Sequence, residues 1–349
     1  MSLFNTVLTR ALVQFHFPRV SFHPVRSLHK KNTEIHFETV DELMSQWDQV
    51  NTRFNKQGYI VLNPKSCDEK LTLQVSRLFG KIQNHKRSFN QDGIVEIRSE
   101  SLGKEDYHVT SNIGFFPHTD GAYLQGMYVK DHRSYRIGPP KIVVLQCVKR
   151  SSKGGVNFLV DGKKILESLL KNHPDKVPIY FSNCVNMYRQ NHLLVESSIF
   201  QLSHKKISMR YSYDKDLYIP QGVAAALAFF DNDYVKNPQF STSIDLRERQ
   251  IMVFDNERFL HGRTAVEGDR CFRRIWVFDD KYEMELVNPK GLAYYGLKDK
   301  HNELLDFYKK YALIEDKEDR SQTKVSTGIQ LSKTQMKKLE TLIQKKLFF

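Results

Sequence analysis

The sequence lacks several patterns that would each have assigned it to a class of protein. No stretch approaches the roughly 18 consecutive apolar residues of a membrane-spanning helix, so we expect a soluble chain. The cysteines Cys67, Cys147, Cys184 and Cys271 have no C-x-x-C spacing, which excludes a zinc knuckle and indicates no disulfide framework. There is no internal repeat. The 40% hydrophobic and 12% aromatic content is that of a globular protein with its own core.

A nucleic-acid-binding stripe is also missing, although the formal net charge is +13. Such a charge suits nucleic acid, an anionic membrane or acidic substrates. Residues 1–32 hold five basic residues and no acidic one, the first acid being Glu34. In the rest of the chain basic residues are interspersed with acidic ones, and no basic stripe is interleaved with aromatic residues. We therefore predict no nucleic-acid partner.

The first segment has apolar residues at helical spacing, which predicts an amphipathic helix over residues 3–15. Its apolar positions are Leu3, Phe4, Val7, Leu8, Ala11, Leu12 and Phe15. An amphipathic segment with arginine and serine but no acid resembles a mitochondrial transit peptide, which would place the protein in the mitochondrial matrix. The alternative is a cytoplasmic or bacterial chain whose first helix docks on the domain. Because the apolar positions are periodic, a secretory signal is excluded.

Three residues have the chemistry of a metal site. His118 and Asp120 are separated by one residue, so in a strand both side chains lie on the same face. His261, in the sequence F-L-H-G-R, is the candidate third ligand, and the fold must then bring two distant strands together. Two imidazoles and one carboxylate leave open positions on the metal, which is how non-heme Fe(II) oxygenases hold iron. An H-x-D pair alone is a weak signal.

Two further motifs accompany these residues. Residues 154–162 read G-G-V-N-F-L-V-D-G, and residues 271–277 read C-F-R-R-I-W-V. An arginine fork holds a carboxylate through two parallel hydrogen bonds, so an arginine about a dozen residues after the last ligand suits a co-substrate with a distal carboxylate. Over about residues 57–280 the whole set resembles the taurine-dioxygenase-like (TauD/TfdA) family of Fe(II)- and 2-oxoglutarate-dependent oxygenases. Its clavaminate-synthase-like and γ-butyrobetaine-hydroxylase-like members share this order of motifs.

The resemblance implies roles for particular residues. It implies that Fe(2+) is bound by His118, Asp120 and His261. It further implies that Arg274 binds the far carboxylate of 2-oxoglutarate, with O2 as the other co-substrate. Asn157 stands where many members have a threonine or serine that helps to hold 2-oxoglutarate, and an amide can still donate a hydrogen bond.

The resemblance also implies a mainly β fold with flanking helices, a double-stranded β-helix or jelly-roll barrel, and many short strands agree with this. Some members have a second arginine four residues after the first, but this chain has Phe278 there. Arg263 either binds a substrate carboxylate or fastens its own loop through Asp255 or Glu257. Asp161 is predicted to be a turn residue.

The chain is predicted to have three parts. These are an N-terminal extension over residues 1–32, an oxygenase domain over 33–285, and a helical, partly mobile extension over 286–349. Residues 121–138 are predicted to be an inserted loop that is either a lid over the site or a solvated surface loop. A helix is predicted over 302–311 and another over 332–347. The last helix would cover the barrel, mediate a homo-oligomer or touch an anionic surface, and we favour covering.

Together these features predict an Fe(II)- and 2-oxoglutarate-dependent dioxygenase. The predicted reaction hydroxylates an unactivated C–H bond of a small amine or amino-acid-like molecule and releases succinate and CO2. Desaturation, cyclisation and epimerisation use the same ligands and stay open. Two other classes also stay open: a catalytically silent relative that acts as a binding or regulatory protein, and a basic nucleic-acid-binding protein.

Overall fold

The structure is a computed structural model that describes residues 12–13, 34–99, 114–130, 133–182, 185–188, 194–203, 205–212, 217–278, 283–284, 309–314 and 325–344. Most of the predicted N-terminal extension, the predicted helix up to residue 308 and the charged stretch 315–324 lie outside the described residues. Within them, no helix is both long and apolar enough to cross a membrane.

Short strands dominate the described chain, and helices lie between them. In chain order the strands are β1 (Leu12–Val13), β2 (Ile35–Phe37), β3 (Tyr59–Pro64), β4 (Lys81–Gln83), β5 (Val95–Arg98), β6 (Phe115–His118), β7 (Gly126–Lys130), β8 (Arg133–Ile137), β9 (Ile142–Lys149), β10 (Lys153–Gly154), β11 (Asn157–Asp161), β12 (Val185–Tyr188), β13 (Leu194–Ser197), β14 (Phe200–Ser203), β15 (Lys206–Met209), β16 (Leu217–Pro220), β17 (Ser241–Ile244), β18 (Ile251–Asp255), β19 (Phe259–Arg263), β20 (Val266–Glu267), β21 (Cys271–Phe278) and β22 (Glu283–Met284). The helices are α1 (Val40–Ser45), α2 (Trp47–Gln57), α3 (Glu69–Arg77), α4 (Gly162–Asn172), α5 (Val177–Tyr180), α6 (Ala224–Phe230) and α7 (Lys333–Gln344).

Local sequence signals set the helix ends. The side chain of Asp68 accepts a hydrogen bond from Lys70 N at the start of α3, and Asp161 does the same for Lys163 N at the start of α4. These side chains satisfy backbone donors that a helix leaves unpaired in its first turn. Helix α2 ends at Gly58, whose φ of 77° is the left-handed conformation that glycine adopts most easily.

The larger sheet has seven strands in the order β2-β3-β18-β9-β21-β4, with β5 paired to β21. Side chains alternate along β9, so that Val143 and Leu145 point toward the space between the sheets and Ile142 and Val144 point outward. The outer face packs against α1, α2 and α3 through a cluster that includes Val50 of α2. The larger sheet is therefore buried on both faces, as the continuous apolar sequence of β9 predicts.

The smaller sheet has four strands in the order β17-β11-β19-β6. Phe158 and Val160 of β11 and Leu260 of β19 point away from the larger sheet and pack with residues of α4, α5, α6 and α7. Leu159, between them, points inward and joins the core between the sheets. The chain passes repeatedly from one sheet to the other, from β9 to β11 and from β17 through β18 and β19 to β21. The architecture is a double-stranded β-helix, as predicted.

Two local predictions are wrong. Residues 121–138 were expected to form a loop, but they contain the antiparallel pair β7 and β8. Leu12 and Val13, expected to be helical, form a strand that pairs with Pro220 and Ile219 of β16. The rest of the predicted N-terminal helix lies outside the described residues.

The predicted C-terminal helix over 332–347 corresponds to α7. Its Leu339 is fully buried in the cluster that covers the smaller sheet. Helix α7 packs against α4 and α5, and this packing agrees with the covering role that we favoured.

Candidate active site

Adjacent strands of the smaller sheet bring the predicted ligands together. His118 ends β6 and pairs directly with His261 of β19, and Asp120 follows β6 by two residues. The pairing places both imidazoles on the inner face, and their ring centroids lie 4.1 Å apart. The required meeting of two distant strands is therefore present in the fold.

The three side chains converge on one point. Each offers one ligand atom, and these atoms all lie within 4.8 Å of one another. His118 Nε2 lies 3.6 Å from Asp120 Oδ1, and His261 Nε2 lies 3.8 Å from Asp120 Oδ2. All three residues are buried. Two imidazole nitrogens and one carboxylate fit a divalent transition metal with open coordination positions.

The protonation of both histidines suits metal binding. His118 Nδ1 lies 3.0 Å from the carbonyl oxygen of Phe116. Because a carbonyl oxygen only accepts, Nδ1 carries the proton and Nε2 presents its lone pair toward the centre. Burial, and then the neighbouring His118, lowers the pKa of His261 to about 3. His261 is therefore neutral near pH 7, and a neutral ring nitrogen is a ligand.

Asp120 is held by buried donors on every side. Arg274 Nη1 donates to Oδ1 over 2.7 Å, and Trp276 Nε1 donates to Oδ2 over 3.0 Å. The Asn256 side chain accepts from the backbone N–H of Asp120 over 2.9 Å and donates to its carbonyl over 3.1 Å. Burial would raise the pKa of the Asp120 carboxyl, but Arg274 and the two imidazoles together hold it well below its usual range. The carboxylate is therefore ionised and fixed in orientation.

A small cavity of about 30 Å³ adjoins this cluster. Its lining residues are Ile97, Phe115, His118, Leu145, Asn157, His261, Gly262, Arg263, Arg270, Phe272 and Arg274. Within the described part of the chain, four buried nitrogen atoms of the lining residues have no hydrogen-bond partner: His261 Nδ1 and the donors Asn157 Nδ2, Arg270 Nε and Arg274 Nε. Since buried polar groups are normally paired, these donors fit an anionic ligand beside the metal cluster.

The structure places all five predicted site residues around this cavity or at its edge. Arg274 was predicted to bind a co-substrate carboxylate, and in the structure it donates to Asp120. Asn157 accepts from Arg270 Nη2 over 3.4 Å. Its predicted contact with a co-substrate stays a prediction.

Sequence reasoning missed three residues of the site, Arg270, Trp276 and Asn256. The alternation of β21, which points Phe272, Arg274 and Trp276 to one face, could have indicated Trp276. Nothing in the sequence separates Arg270 from the partly exposed Arg273 near it.

Asp161 and Arg263, which the sequence left with structural alternatives, both lie in defined surroundings. Asp161 caps α4 and accepts two hydrogen bonds from Arg258, over 2.9 and 2.7 Å, so its role as a structural residue is confirmed. Arg263 is buried, lines the cavity and donates to the carbonyl of Thr264 over 3.2 Å.

A double-stranded β-helix with two histidines and one aspartate converging inside it is the architecture of the non-heme iron oxygenases. The chain belongs to the taurine catabolism dioxygenase TauD, TfdA family, whose model matches residues 23–276. The family predicted from the motifs is thereby confirmed.

Individual relatives are more distant. The chain is 24% identical over 145 residues to γ-butyrobetaine dioxygenase of Homo sapiens, a match that covers 37% of each chain. It is 27% identical over 172 residues to the mitochondrial trimethyllysine dioxygenase of Gallus gallus, covering 44% of this chain and 38% of that protein. The matched region thus spans under two fifths of these curated relatives.

Solved structures support the fold. The structure of PvcB, an Fe, α-ketoglutarate-dependent oxygenase from an isonitrile synthetic pathway, matches with a TM-score of 0.52 and 18% sequence identity. The match covers 78% of this chain and 98% of that one. At this identity the likeness establishes the double-stranded β-helix and leaves the activity to be argued from the site.

Proposed function

We propose that this protein is an Fe(II)- and 2-oxoglutarate-dependent dioxygenase. The observation that carries the proposal is the convergence of His118, Asp120 and His261 beside a cavity whose buried donors lack partners. Family membership supports it. Two imidazole nitrogens, of His118 and His261, and one carboxylate oxygen of Asp120 would hold Fe(II) beside the cavity.

The residues of the chain prepare this site before any ligand enters. His118 is fixed in the tautomer that presents Nε2, and Asp120 is fixed by hydrogen bonds to both oxygens. Such supports around the ligands orient them and strengthen metal binding. When bound, Fe(II) and 2-oxoglutarate would supply the activation of O2 for oxidation of a C–H bond, with release of succinate and CO2. The apolar wall formed by Ile97, Leu145 and Phe272 keeps water from the reacting atoms.

The substrate that we propose is a small amine or amino-acid-like molecule, and the reaction is hydroxylation. Relatives named for γ-butyrobetaine and trimethyllysine, both small molecules with an ammonium group and a carboxylate, support this class. We also propose the mitochondrial matrix as the location, which the amphipathic spacing over residues 3–15 and the lack of acidic residues over 1–32 support.

The proposed activity is tested by measuring succinate formation from 2-oxoglutarate with added Fe(II). These oxygenases turn over slowly without their primary substrate, so its identity is not needed. We expect His118→Ala to abolish succinate formation, because one of three metal ligands is lost. The matched control is His36→Ala, since the His36 side chain is 68% exposed on the surface.

Equal turnover in wild type and His118→Ala would overturn the proposal. If the wild type binds Fe(II) but forms no succinate under any condition, the catalytically silent alternative is supported instead. Candidate amines and amino acids are then compared by the extent to which each stimulates succinate formation.

A further inference from the structure

A segment beyond the family match contributes a side chain to the surroundings of the metal cluster. The match ends at residue 276, and Tyr311 lies in the short segment 309–314. Tyr311 is fully buried and belongs to the core between the two sheets, together with Trp276. The core in which the site lies is therefore completed by a part of the chain outside the matched region.

Backbone hydrogen bonds hold segment 309–314 against β4. Ile314 N donates to the carbonyl oxygen of Ile82 over 2.8 Å. Asn84 N, directly after β4, donates to the carbonyl oxygen of Ala312 over the same distance. An antiparallel bridge joins the two stretches between these bonds. The segment thus adds to the edge of the larger sheet, and the sheet sets the place of the tyrosine.

The Tyr311 ring holds the indole of Trp276 from one side. The two rings are stacked, with 6.1 Å between centroids and 20° between planes. His85 contacts both rings edge-on, at 4.5 Å from Trp276 and 5.6 Å from Tyr311. Aromatic contacts of this kind restrict the orientation of the indole, whose Nε1 donates to Asp120 Oδ2 over 3.0 Å. Tyr311 therefore acts on the orientation of Asp120 through one intervening side chain.

Tyr311 also contacts the turn that follows Asp120. Its hydroxyl lies 3.4 Å from that of Tyr123, and the two rings meet edge-on with centroids 6.2 Å apart. The turn is closed by a hydrogen bond from Leu124 N to the carbonyl oxygen of Gly121 over 2.7 Å. One buried side chain thus braces both the donor to the Asp120 carboxylate and the backbone immediately after it.

We propose that Tyr311 is a positioning residue for the metal centre, which holds Trp276 so that its indole N–H points at Asp120, and that docking of segment 309–314 is thereby coupled to metal binding. This inference rests on the proposed function. Coupling between two events is reciprocal, so a docked segment should strengthen Fe(II) binding, and bound Fe(II) should stabilise the docked segment by the same factor.

The first test measures the dissociation constant for Fe(II) by anaerobic titration of the metal-free, full-length protein. Tyr311→Leu should raise this constant on the order of 10-fold, as loss of a group that orients a ligand does. Tyr311→Phe should stay within about three-fold of the wild type, because the ring contacts that orient the indole remain. The matched control is Tyr180→Leu, since Tyr180 is equally buried but lies in the cluster that covers the smaller sheet. Equal effects of Tyr311→Leu and Tyr180→Leu would show a merely structural role and overturn the inference.

A double substitution tests whether Tyr311 acts through Trp276. Trp276→Phe removes the indole N–H, so the orientation of that ring no longer affects Asp120. Adding Tyr311→Leu to Trp276→Phe should then raise the dissociation constant by less than about three-fold, because the two effects are not additive when one residue acts through the other. A further 10-fold rise, equal to that in the wild-type background, would overturn the proposed route.

Hydrogen exchange tests the reciprocal effect without any variant that could fail to fold. At saturating Fe(II) the amides of segment 309–314, including Ile314 N, should exchange about 10-fold more slowly than in the metal-free protein. The control is Ile329 N, which donates to the carbonyl oxygen of Ile207 in β15 and should change less. Unchanged exchange in segment 309–314, or equal slowing at Ile329, would overturn the coupling. A wild-type protein that binds no Fe(II) would overturn the proposed function itself, whereas Fe(II) binding that is indifferent to Tyr311→Leu would overturn only this inference.

Discussion

Asp120 shows how much of the proposed metal site depends on residues other than its predicted ligands. A free carboxylate rotates about its Cβ–Cγ bond, but here Arg274 holds one oxygen and Trp276 the other. The indole N–H can only donate, so its direction selects one orientation of the carboxylate. Trp276 is held in turn by ring contacts with His85 and Tyr311, at 4.5 and 6.1 Å between centroids.

Replacing Trp276 by Phe removes this donor and keeps most of the ring. We expect the dissociation constant for Fe(II) to rise about 10- to 100-fold, since partners of metal ligands contribute effects of this size. This dissociation constant is measured by titrating the metal-free protein with Fe(II) under anaerobic conditions. Trp47→Phe is the matched control, because Trp47 is the other tryptophan of the chain and packs among the helices on the far side of the larger sheet. An unchanged constant for Trp276→Phe would mean that Arg274 alone orients Asp120.

At the scale of single residues, the sequence predicted side chains that belong to a motif and missed those that act through neighbours. His118 and Asp120 could be placed on one face from their spacing, and the fold confirms their proximity to His261. Asn256 could not be found, because its role depends on Asp120 and Pro140 lying beside it in space. From the sequence alone, Arg270 and Arg274 are both arginines in or next to a predicted strand, and nothing distinguishes their partners. Only the fold shows that one faces a carboxylate and the other faces an amide.

Among the elements, periodicity predicted the buried strands well. The apolar runs at residues 59–62, 141–148, 157–160, 250–254 and 273–278 predict strands, and these correspond to β3, β9, β11, β18 and β21. Each is apolar because both sides of its sheet are covered. The pair β7 and β8 was missed, since its residues are rich in tyrosine and charge and show no regular apolar alternation. The apolar spacing of residues 40–54 predicts a single helix, but the structure has two, α1 and α2, divided at Gln46.

Helix α7 offers a test of an element that lies outside the family match. Its Leu339 is fully buried against the helices that cover the smaller sheet. Leu339→Ala should lower the free energy of unfolding by about 2–5 kcal/mol, the usual cost of a large cavity in a core. Urea denaturation followed by circular dichroism measures the change. Lys337→Ala, on the exposed face of the same helix, should change stability by about 0.5 kcal/mol or less.

Equal, small effects of the two substitutions would mean that α7 does not cover the barrel in solution. A loss of stability that depends on protein concentration would instead indicate an oligomer held through this helix, because such stability varies with protomer concentration.

For the whole molecule, the C-terminal segment is tied to the barrel by acidic groups at the end of β18. Asp255 accepts hydrogen bonds from the backbone N–H of Gly328 over 2.7 Å and of Glu257 over 2.9 Å. Glu257 accepts in turn from the Thr327 hydroxyl over 2.6 Å. Burial, and then repulsion from Glu257, raises the pKa of Asp255 to about 8, although the two backbone donors oppose the shift.

His85 has a pKa displaced in the other direction. Burial, and then the charge of Arg274, lowers its pKa to about 2. A histidine whose pKa is lowered in the folded state contributes fully to stability above pH 6.5, which is about its pKa in the unfolded chain. This contribution is lost as the pH falls below about 6.5. An aspartate with a raised pKa contributes fully below about 4 and loses its contribution as the pH rises toward 8. Below pH 6.5 His85 and Asp255 change the free energy of unfolding in opposite directions as the pH changes. Between pH 6.5 and 8 only Asp255, of these two residues, makes stability depend on pH.

The stability of the protein should therefore fall between pH 6.5 and 8 by an amount that depends on Asp255. One proton released on unfolding corresponds to about 1.4 kcal/mol per pH unit. The Asp255→Asn side chain cannot titrate, so the free energy of unfolding of this variant should fall less steeply between pH 6.5 and 8, by about 1.4 kcal/mol per pH unit. The His85→Gln variant should follow the wild type between pH 6.5 and 8 and diverge from it only below pH 6.5. Urea denaturation at fixed metal content and several pH values measures all three proteins. Parallel curves for wild type and Asp255→Asn would show that the carboxyl is already ionised in the folded state, and that the two backbone donors outweigh burial where the C-terminal segment meets the barrel.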